Sequence, residues 1–329
     1  MVSEICLGTM TFGGNDPMSA AFGQLDDNSS SQLVNEALNA GVNFFDTANV
    51  YGVGASEEIL GRALKGKRHD AVIATKVRFR MGPGPNQVGL SRAQIIQQAE
   101  DSLKRLGTDY IDLYQIHGPD PFTDWEETLR ALDELIRSGK VRYIGCSNLQ
   151  GWQIMKANGI ATQLSTHAFH TNQSYYSLAG RDIEREIIPV VQDQKMGLLV
   201  WSPLAGGFLT GKYTRNNQGG ADDRRMKLDF PPIDREKAYD VIDVLRDIAK
   251  ARETSIAKIA LAWVLNQPAV TSVIIGAKRL DQLQDNLGAV GVILTEEELS
   301  RLDQVSRLQP EYPLWNPVMY TQDRFPVQG

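Results

Sequence analysis

Four side chains of complementary chemistry follow successive β-rich runs. Asp46 closes the run 42–45 and is followed by Tyr51, Lys76 follows 71–74, and His117 follows 110–116. A free tyrosine has a pKa near 10 and is a poor acid at neutral pH. A neighbouring ammonium favours the phenolate and lowers that pKa, and Lys76 can supply it. A buried lysine needs a counter-charge, which Asp46 can provide from the adjacent strand end. His117 can donate a hydrogen bond to a carbonyl oxygen or orient a substrate. The set suits protonation of a carbonyl oxygen while another group delivers hydride. With no metal or flavin site legible in the chain, a nicotinamide coenzyme is the natural donor. Each residue alone has a plainer reading: Asp46 as a cap or ion pair, His117 satisfying the turn before Gly118-Pro119, Tyr51 as loop packing before Gly52. Their joint placement on successive strand ends is what points to catalysis.

Such placement requires a sheet whose strands share one direction. Runs over 5–10, 42–45, 71–74, 110–116, 141–145, 197–201 and 272–275, with a weaker, less apolar one over 166–171, read as eight strands. Helical patterns lie between them. Leu33, Val34, Ala37 and Leu38 form a stripe closed by Gly41. The segment 56–64 carries Ile59, Leu60, Ala63 and Leu64, and 125–136 stops at Gly139. Ser91 with Gln94 and Thr295 with Glu298 read as capping boxes ahead of helical stripes. Repeated strand–helix alternation means a parallel sheet, and at this length a single-domain (β/α)8 barrel over 1–329 is the best closed solution. The competing doubly wound sheet would normally show GxGxxG after its first strand, where this chain has Gly8-Thr9-Met10-Thr11-Phe12-Gly13-Gly14. Segments 80–89 and 210–234 are rich in Gly, Pro and charge and read as lids or coenzyme clasps on the C-terminal face.

Composition narrows the classes further. The chain has 329 residues, 42% hydrophobic and 22% charged, which excludes a disordered protein. Its net charge of −6 argues against nucleic-acid binding. Two cysteines, Cys6 and Cys146, exclude a disulfide scaffold and fit a reducing cytoplasm. Four histidines and no CxxC pattern argue against a zinc cluster. No apolar run is long enough to span a membrane, and the start does not read as a signal peptide. The expected partner is a small molecule, bound by a monomer or homo-oligomer.

The chain resembles the aldo-keto reductase superfamily, in its aryl-alcohol dehydrogenase-like branch. The likeness is carried by Leu7-Gly8-Thr9-Met10-Thr11-Phe12-Gly13, by Phe45-Asp46-Thr47-Ala48-Asn49-Val50-Tyr51-Gly52 with Gly54-Ala55-Ser56-Glu57, and by Ala74-Thr75-Lys76. It continues through 109–117, 139–148, Trp201-Ser202-Pro203-Leu204, 209–213 and Ile275-Gly276-Ala277-Lys278. The resemblance implies an NADP(H)-dependent (β/α)8 oxidoreductase that interconverts carbonyls and alcohols, with a tetrad of Asp46, Tyr51, Lys76 and His117. Tyr51 would be the proton donor. Ser147, Asn148 and Gln173 would hold the nicotinamide carboxamide and Trp201 would stack on its ring. Ser202, Leu204, Gly206 and Lys212 would line the pyrophosphate, and Gly276, Lys278, Arg279, Gln282 and Asn286 would surround the adenosine end. Lys278 and Arg279 would meet a 2′-phosphate, favouring NADP over NAD. Phe79, Met81 and Trp315 are candidates for an apolar substrate pocket. Relatives carry an N-terminal hairpin that plugs the barrel bottom. Here it reads as shortened, with 318–327 a candidate cover. Some relatives are potassium-channel regulatory subunits, so a slow coenzyme sensor is the alternative function.

Overall fold

The computed structural model describes residues 1–14, 23–220 and 223–313. Eight parallel strands pair in chain order and close on themselves: β1 (Ile5–Gly8), β2 (Phe44–Asp46), β3 (Val72–Val77), β4 (Ile111–Ile116), β5 (Val141–Ser147), β6 (Thr171–Tyr175), β7 (Gly197–Trp201) and β8 (Val270–Ile275). Parallel neighbours need a crossover, and helices lie between the strands on the outside, among them Asp27–Asn39, Arg92–Leu106, Trp125–Arg137 and Gly151–Leu164. The expected single-domain (β/α)8 barrel is therefore the fold.

The period of two along each strand divides the side chains. Leu7, Phe45, Ile73, Tyr114, Ile144 and Leu198 face outward and merge with the helix stripes into the main core. Cys6, Phe44, Ala74, Leu113, Leu199 and Ile274 face inward as a separate apolar layer. The register then places the polar layer. Ala74 pairs with Leu113 and Lys76 with Gln115, so two residues further along each strand the barrel interior changes from hydrocarbon to Asp46, Lys76 and Gln115. This polar layer sits at the strands' C-terminal ends, where such barrels carry their chemistry. At the other end Val2 packs against the apolar layer, and Ser272 Oγ ties the chain start by donating to Ser3 O at 2.8 Å. Segment 318–327, expected as a bottom cover, lies outside the described residues.

The helix ends follow local chemistry. Asp26 accepts from Ser29 N, Gly41 takes a left-handed φ of 86° after the first helix, and Thr295 with Glu298 forms the full reciprocal box. Ser91 does accept from Gln94 N, but Gln94 does not return the bond. Its side chain is buried, and its Nε2 has no partner among the described residues. A reciprocal box stands instead at Gln150 with Gln153. The weak run over 166–171 is corrected: the sixth strand begins where that run ends. Its sequence Thr-Asn-Gln-Ser-Tyr is polar because inward-facing Gln173 belongs to the site, not to the hydrocarbon core.

Candidate active site

Asp46 ends β2 and Lys76 lies on β3, and the two meet inside the barrel with Nζ 2.5 Å from Oδ1, their side chains 4% and 0% exposed. Lys76 Nζ also donates to Thr47 O at 2.9 Å and reaches the Tyr51 hydroxyl at 3.4 Å. The second oxygen of Asp46 accepts from Gln173 Nε2 at 2.8 Å and from Gln115 Nε2 at 3.3 Å. Neither charge could be buried so deeply without the other. Burial works to lower the Lys76 pKa, but the charges of Asp46 and Tyr51 outweigh it and hold it above the usual lysine value, so the side chain stays an ammonium.

The expected lowering of the Tyr51 pKa is overturned. Burial of its hydroxyl raises the phenol above its ordinary value, and the nearby Asp46 charge adds to that rise. Together they exceed the downward pull of the Lys76 charge and hydrogen bond. The phenol is thus kept protonated, and the ammonium beside it lowers the cost of releasing that proton. Tyr51 opens a tight turn, Tyr51–Gly54, with left-handed φ at Gly52, Val53 and Gly54. A Cβ on Gly52 would lie 2.9 Å from Gly14 Cα, so glycine is required there. The turn is clamped from below: buried Glu57 accepts from Thr75 Oγ1 at 2.5 Å and from Arg105 Nε at 2.6 Å, and Arg105 packs against Gly54. Thr75 neighbours Lys76, so this clamp ties phenol and ammonium to one frame.

His117 extends β4 and meets Tyr51 edge-on at 5.8 Å between ring centroids. Its Nδ1 is buried without a hydrogen-bond partner among the described residues. Burial, then the charges of Lys76 and Arg78, push its pKa well below the ordinary histidine value, so the ring is neutral at physiological pH. Phe79 packs edge-on against His117 at 4.8 Å and is 37% exposed. Met81 is in the neighbouring loop, its N–H bonded to Gln87 O at 2.9 Å. Trp315 lies outside the described residues.

The expected nicotinamide contacts gather on the opposite wall. Ser147 Oγ donates to Gln173 O at 3.0 Å, and Asn148, at a left-handed φ of 57°, donates to His117 O and accepts from Trp201 Nε1, both at 3.1 Å. Gln173 already gives its amide to Asp46. Trp201 stacks on Phe230 at 5.6 Å with planes 9° apart and leans on Tyr175 at 5.2 Å.

Beyond β7 the backbone turns left-handed at Ser202, Ala205, Gly206 and Gly207, next to Leu204. A Cβ on Gly206 would come within 2.5 Å of Phe230 O. Buried Arg225 holds this loop, donating to Ala205 O at 2.8 Å and Pro231 O at 2.9 Å. Lys212 bonds Asp223 at 2.7 Å. Lys278 has its pKa lowered by burial and then by the charges of Arg224, Lys227 and Lys212. Arg279 does not join this group. It is paired in fork fashion with Asp281, at 2.9 and 2.8 Å. Gln282 folds back to accept from Lys278 N at 3.0 Å, Asn286 is buried, and Gly276 has open space where a Cβ would be.

Sequence reasoning missed Gln115, Glu57 with Arg105, Arg225 and Phe230. Gln115 was reachable, since it stands two residues before His117 and must share its face. Glu57 stands in the segment Gly54-Ala55-Ser56-Glu57, but its partner Arg105, like Arg225 and Phe230, lies far off in the chain and carries no local signal. Among the described residues no cluster of His, Cys, Asp or Glu could hold a metal ion, and no helix is long and apolar enough to cross a membrane.

A family model described as the aldo/keto reductase family matches residues 4–307. The chain is 39% identical over 315 residues to the Bacillus subtilis protein named uncharacterized oxidoreductase YrpG, covering 92% of each. It is 38% identical to a probable voltage-gated potassium channel subunit beta of Arabidopsis thaliana, covering 94% of this chain and 96% of that one. It is 34% identical to versiconal hemiacetal acetate reductase of Aspergillus parasiticus, over 92% and 93% of the two chains. The match over nearly the whole chain, on a closed eight-stranded barrel with an ammonium–carboxylate pair at its mouth, makes this chain a member of the aldo/keto reductase family of oxidoreductases.

Proposed function

We propose that the chain is an NADP(H)-dependent oxidoreductase that interconverts an aldehyde or ketone and its alcohol, with Tyr51 as general acid and base. The observation that carries this reading is Lys76 Nζ set between Asp46 Oδ1 at 2.5 Å and the Tyr51 hydroxyl at 3.4 Å. The substrate oxygen would lie between Tyr51 and the neutral ring of His117, which orients it. As charge develops on that oxygen, Tyr51 gives up its proton, and the phenolate left behind is stabilised by Lys76. Asp46 keeps Lys76 charged throughout, and in the reverse direction Tyr51 takes the proton back.

A bound nicotinamide coenzyme supplies the hydride. The residues fit one. Ser147, Asn148 and Gln173 would hold its carboxamide and Trp201 its ring. Ser202, Leu204, Gly206 and Lys212 would hold the pyrophosphate, and Gly276, Gln282 and Asn286 the adenosine. The positive charges of Arg224, Lys227 and Lys212, which with burial lower the Lys278 pKa, would attract a 2′-phosphate, which supports NADP. Arg279, already paired with Asp281, contributes less. The two cysteines are free and buried, which suits a cytoplasmic protein acting on small molecules.

The Arabidopsis relative's name favours a second reading, a slow coenzyme-sensing regulatory subunit. Following NADPH and NADH consumption across a panel of aldehydes and ketones separates the two. Turnover faster with NADPH supports the enzyme. Tight NADPH binding with negligible turnover across the panel supports the regulatory reading.

A further inference from the structure

On the Phe79 side of the mouth stands a cation that the proton-transfer chemistry does not use. Arg78 follows β3, two residues beyond Lys76. Its φ is 147°, a strained value for a residue with a side chain, held in place by Gly89 N–H donating to Arg78 O at 2.8 Å. Its Nε is tethered to Pro119 O at 3.0 Å, in the loop that follows His117. Its guanidinium carbon lies 5.1 Å from the centre of the Phe79 ring, and that ring is the one packed on His117. Arg78, Phe79, His117 and Tyr51 therefore form one continuous row along the rim.

Among the described residues, Nη1 and Nη2 of Arg78 meet no hydrogen-bond acceptor. Asp120 is near enough for its carboxyl to feel the Arg78 charge. Its oxygens, however, already accept from Leu90 N at 2.7 Å, Thr123 Oγ1 at 2.8 Å and Phe122 N at 3.0 Å. The result is a guanidinium fixed by one nitrogen, with the edge that matches a carboxylate left open. Tethering in advance reduces the ordering cost of using that edge.

We propose that Arg78 is a specificity-determining residue that binds a carboxylate on the substrate, so that carboxylate-bearing aldehydes or ketones are preferred. The carbonyl sits at Tyr51 and His117, the spacer lies along Phe79, and the acid group reaches Arg78. The spacer is thus about the length of one aromatic ring or a comparable chain. This inference rests on the carbonyl-reductase reading of the site.

The test compares 4-carboxybenzaldehyde with its neutral methyl ester, using NADPH and the wild-type chain, Arg78→Gln and Arg78→Lys. The wild type should favour the carboxylate by about tenfold or more in kcat/KM, chiefly through KM, and added KCl should erode the preference. In Arg78→Gln the ratio should fall to about one, and in Arg78→Lys, which keeps the charge but loses the fork, it should lie between. A wild-type ratio near one, or an unchanged ratio in Arg78→Gln, overturns the inference while leaving the enzyme reading intact. If Arg78→Gln does not fold, the wild-type ratio, its salt dependence and Arg78→Lys decide. If neither aldehyde is reduced, the carbonyl panel above judges the function. Calorimetric binding of 4-(hydroxymethyl)benzoate in the presence of NADP⁺ then judges Arg78 alone: loss of binding in Arg78→Gln supports it and equal binding overturns it.

Discussion

On the β2–β4 side of the barrel mouth opposite charges meet, whereas at the β7–β8 side cations meet one another. Asp46 and Lys76 neutralise each other in the interior, and Gln115 and Gln173 complete the carboxylate's hydrogen bonds. Lys278, by contrast, is crowded by Arg224, Lys227 and Lys212. The first arrangement is finished within the chain. The second gathers positive charge, with Lys212 paired to Asp223. The Asp46–Lys76–Tyr51 geometry is thus complete within the chain, whereas the charge around Lys278 is what the proposed coenzyme would meet.

Breaking the finished side should have the largest effects. Tyr51→Phe removes the proton donor but no charge, and should lower kcat by about 10²- to 10⁴-fold with NADPH affinity nearly unchanged. Near-normal turnover would refute the assignment. Lys76→Met strands a buried carboxylate and should cost about 3–5 kcal/mol in chemical denaturation, with part of it regained in Asp46→Asn/Lys76→Met. A cost below about 1 kcal/mol would show that the pair does not set local stability.

The open side should respond more gently and only through its ligand. Lys278→Ala should weaken NADPH binding by about tenfold while leaving NADH binding and unfolding midpoint little altered. Equal weakening of both coenzymes would remove the 2′-phosphate from the account. The smallest effect concerns pH. His117 is held neutral in the fold because its pKa is depressed, whereas the unfolded chain takes up a proton below about pH 6.5. Its contribution to stability is therefore whole above that pH and is lost as pH falls, at up to about 1.4 kcal/mol per pH unit. His117→Asn should flatten the acid limb of stability against pH, and an unchanged limb would mean that the ring is charged when folded.

The barrel was legible because hydrocarbon alternates with helical stripes along most of the chain, and the clustering of Asp46, Tyr51, Lys76 and His117 because they sit at or just beyond the ends of those strands. The bounds of β6 escaped because Thr171–Tyr175 faces the site and carries polar side chains where apolar ones signal a strand. The direction of the Tyr51 shift escaped because spacing tells which charges are near but not how much water is excluded. Arg279 looked available from its position beside Lys278, and only coordinates show it turned to Asp281. Glu57 with Arg105 joins two helices far apart in the chain, a contact with no periodic trace.

The Asp46 carboxylate also changes what distance means in this molecule. Counted around the ring of ladders, β6 stands well away from β2, and Gln173 is 127 positions from Asp46 in the chain. Through the lumen the two are a single hydrogen bond apart. A disturbance at Gln173 therefore reaches the ammonium's counter-ion without passing through any intervening strand, and the two halves of the circle are joined directly across the lumen.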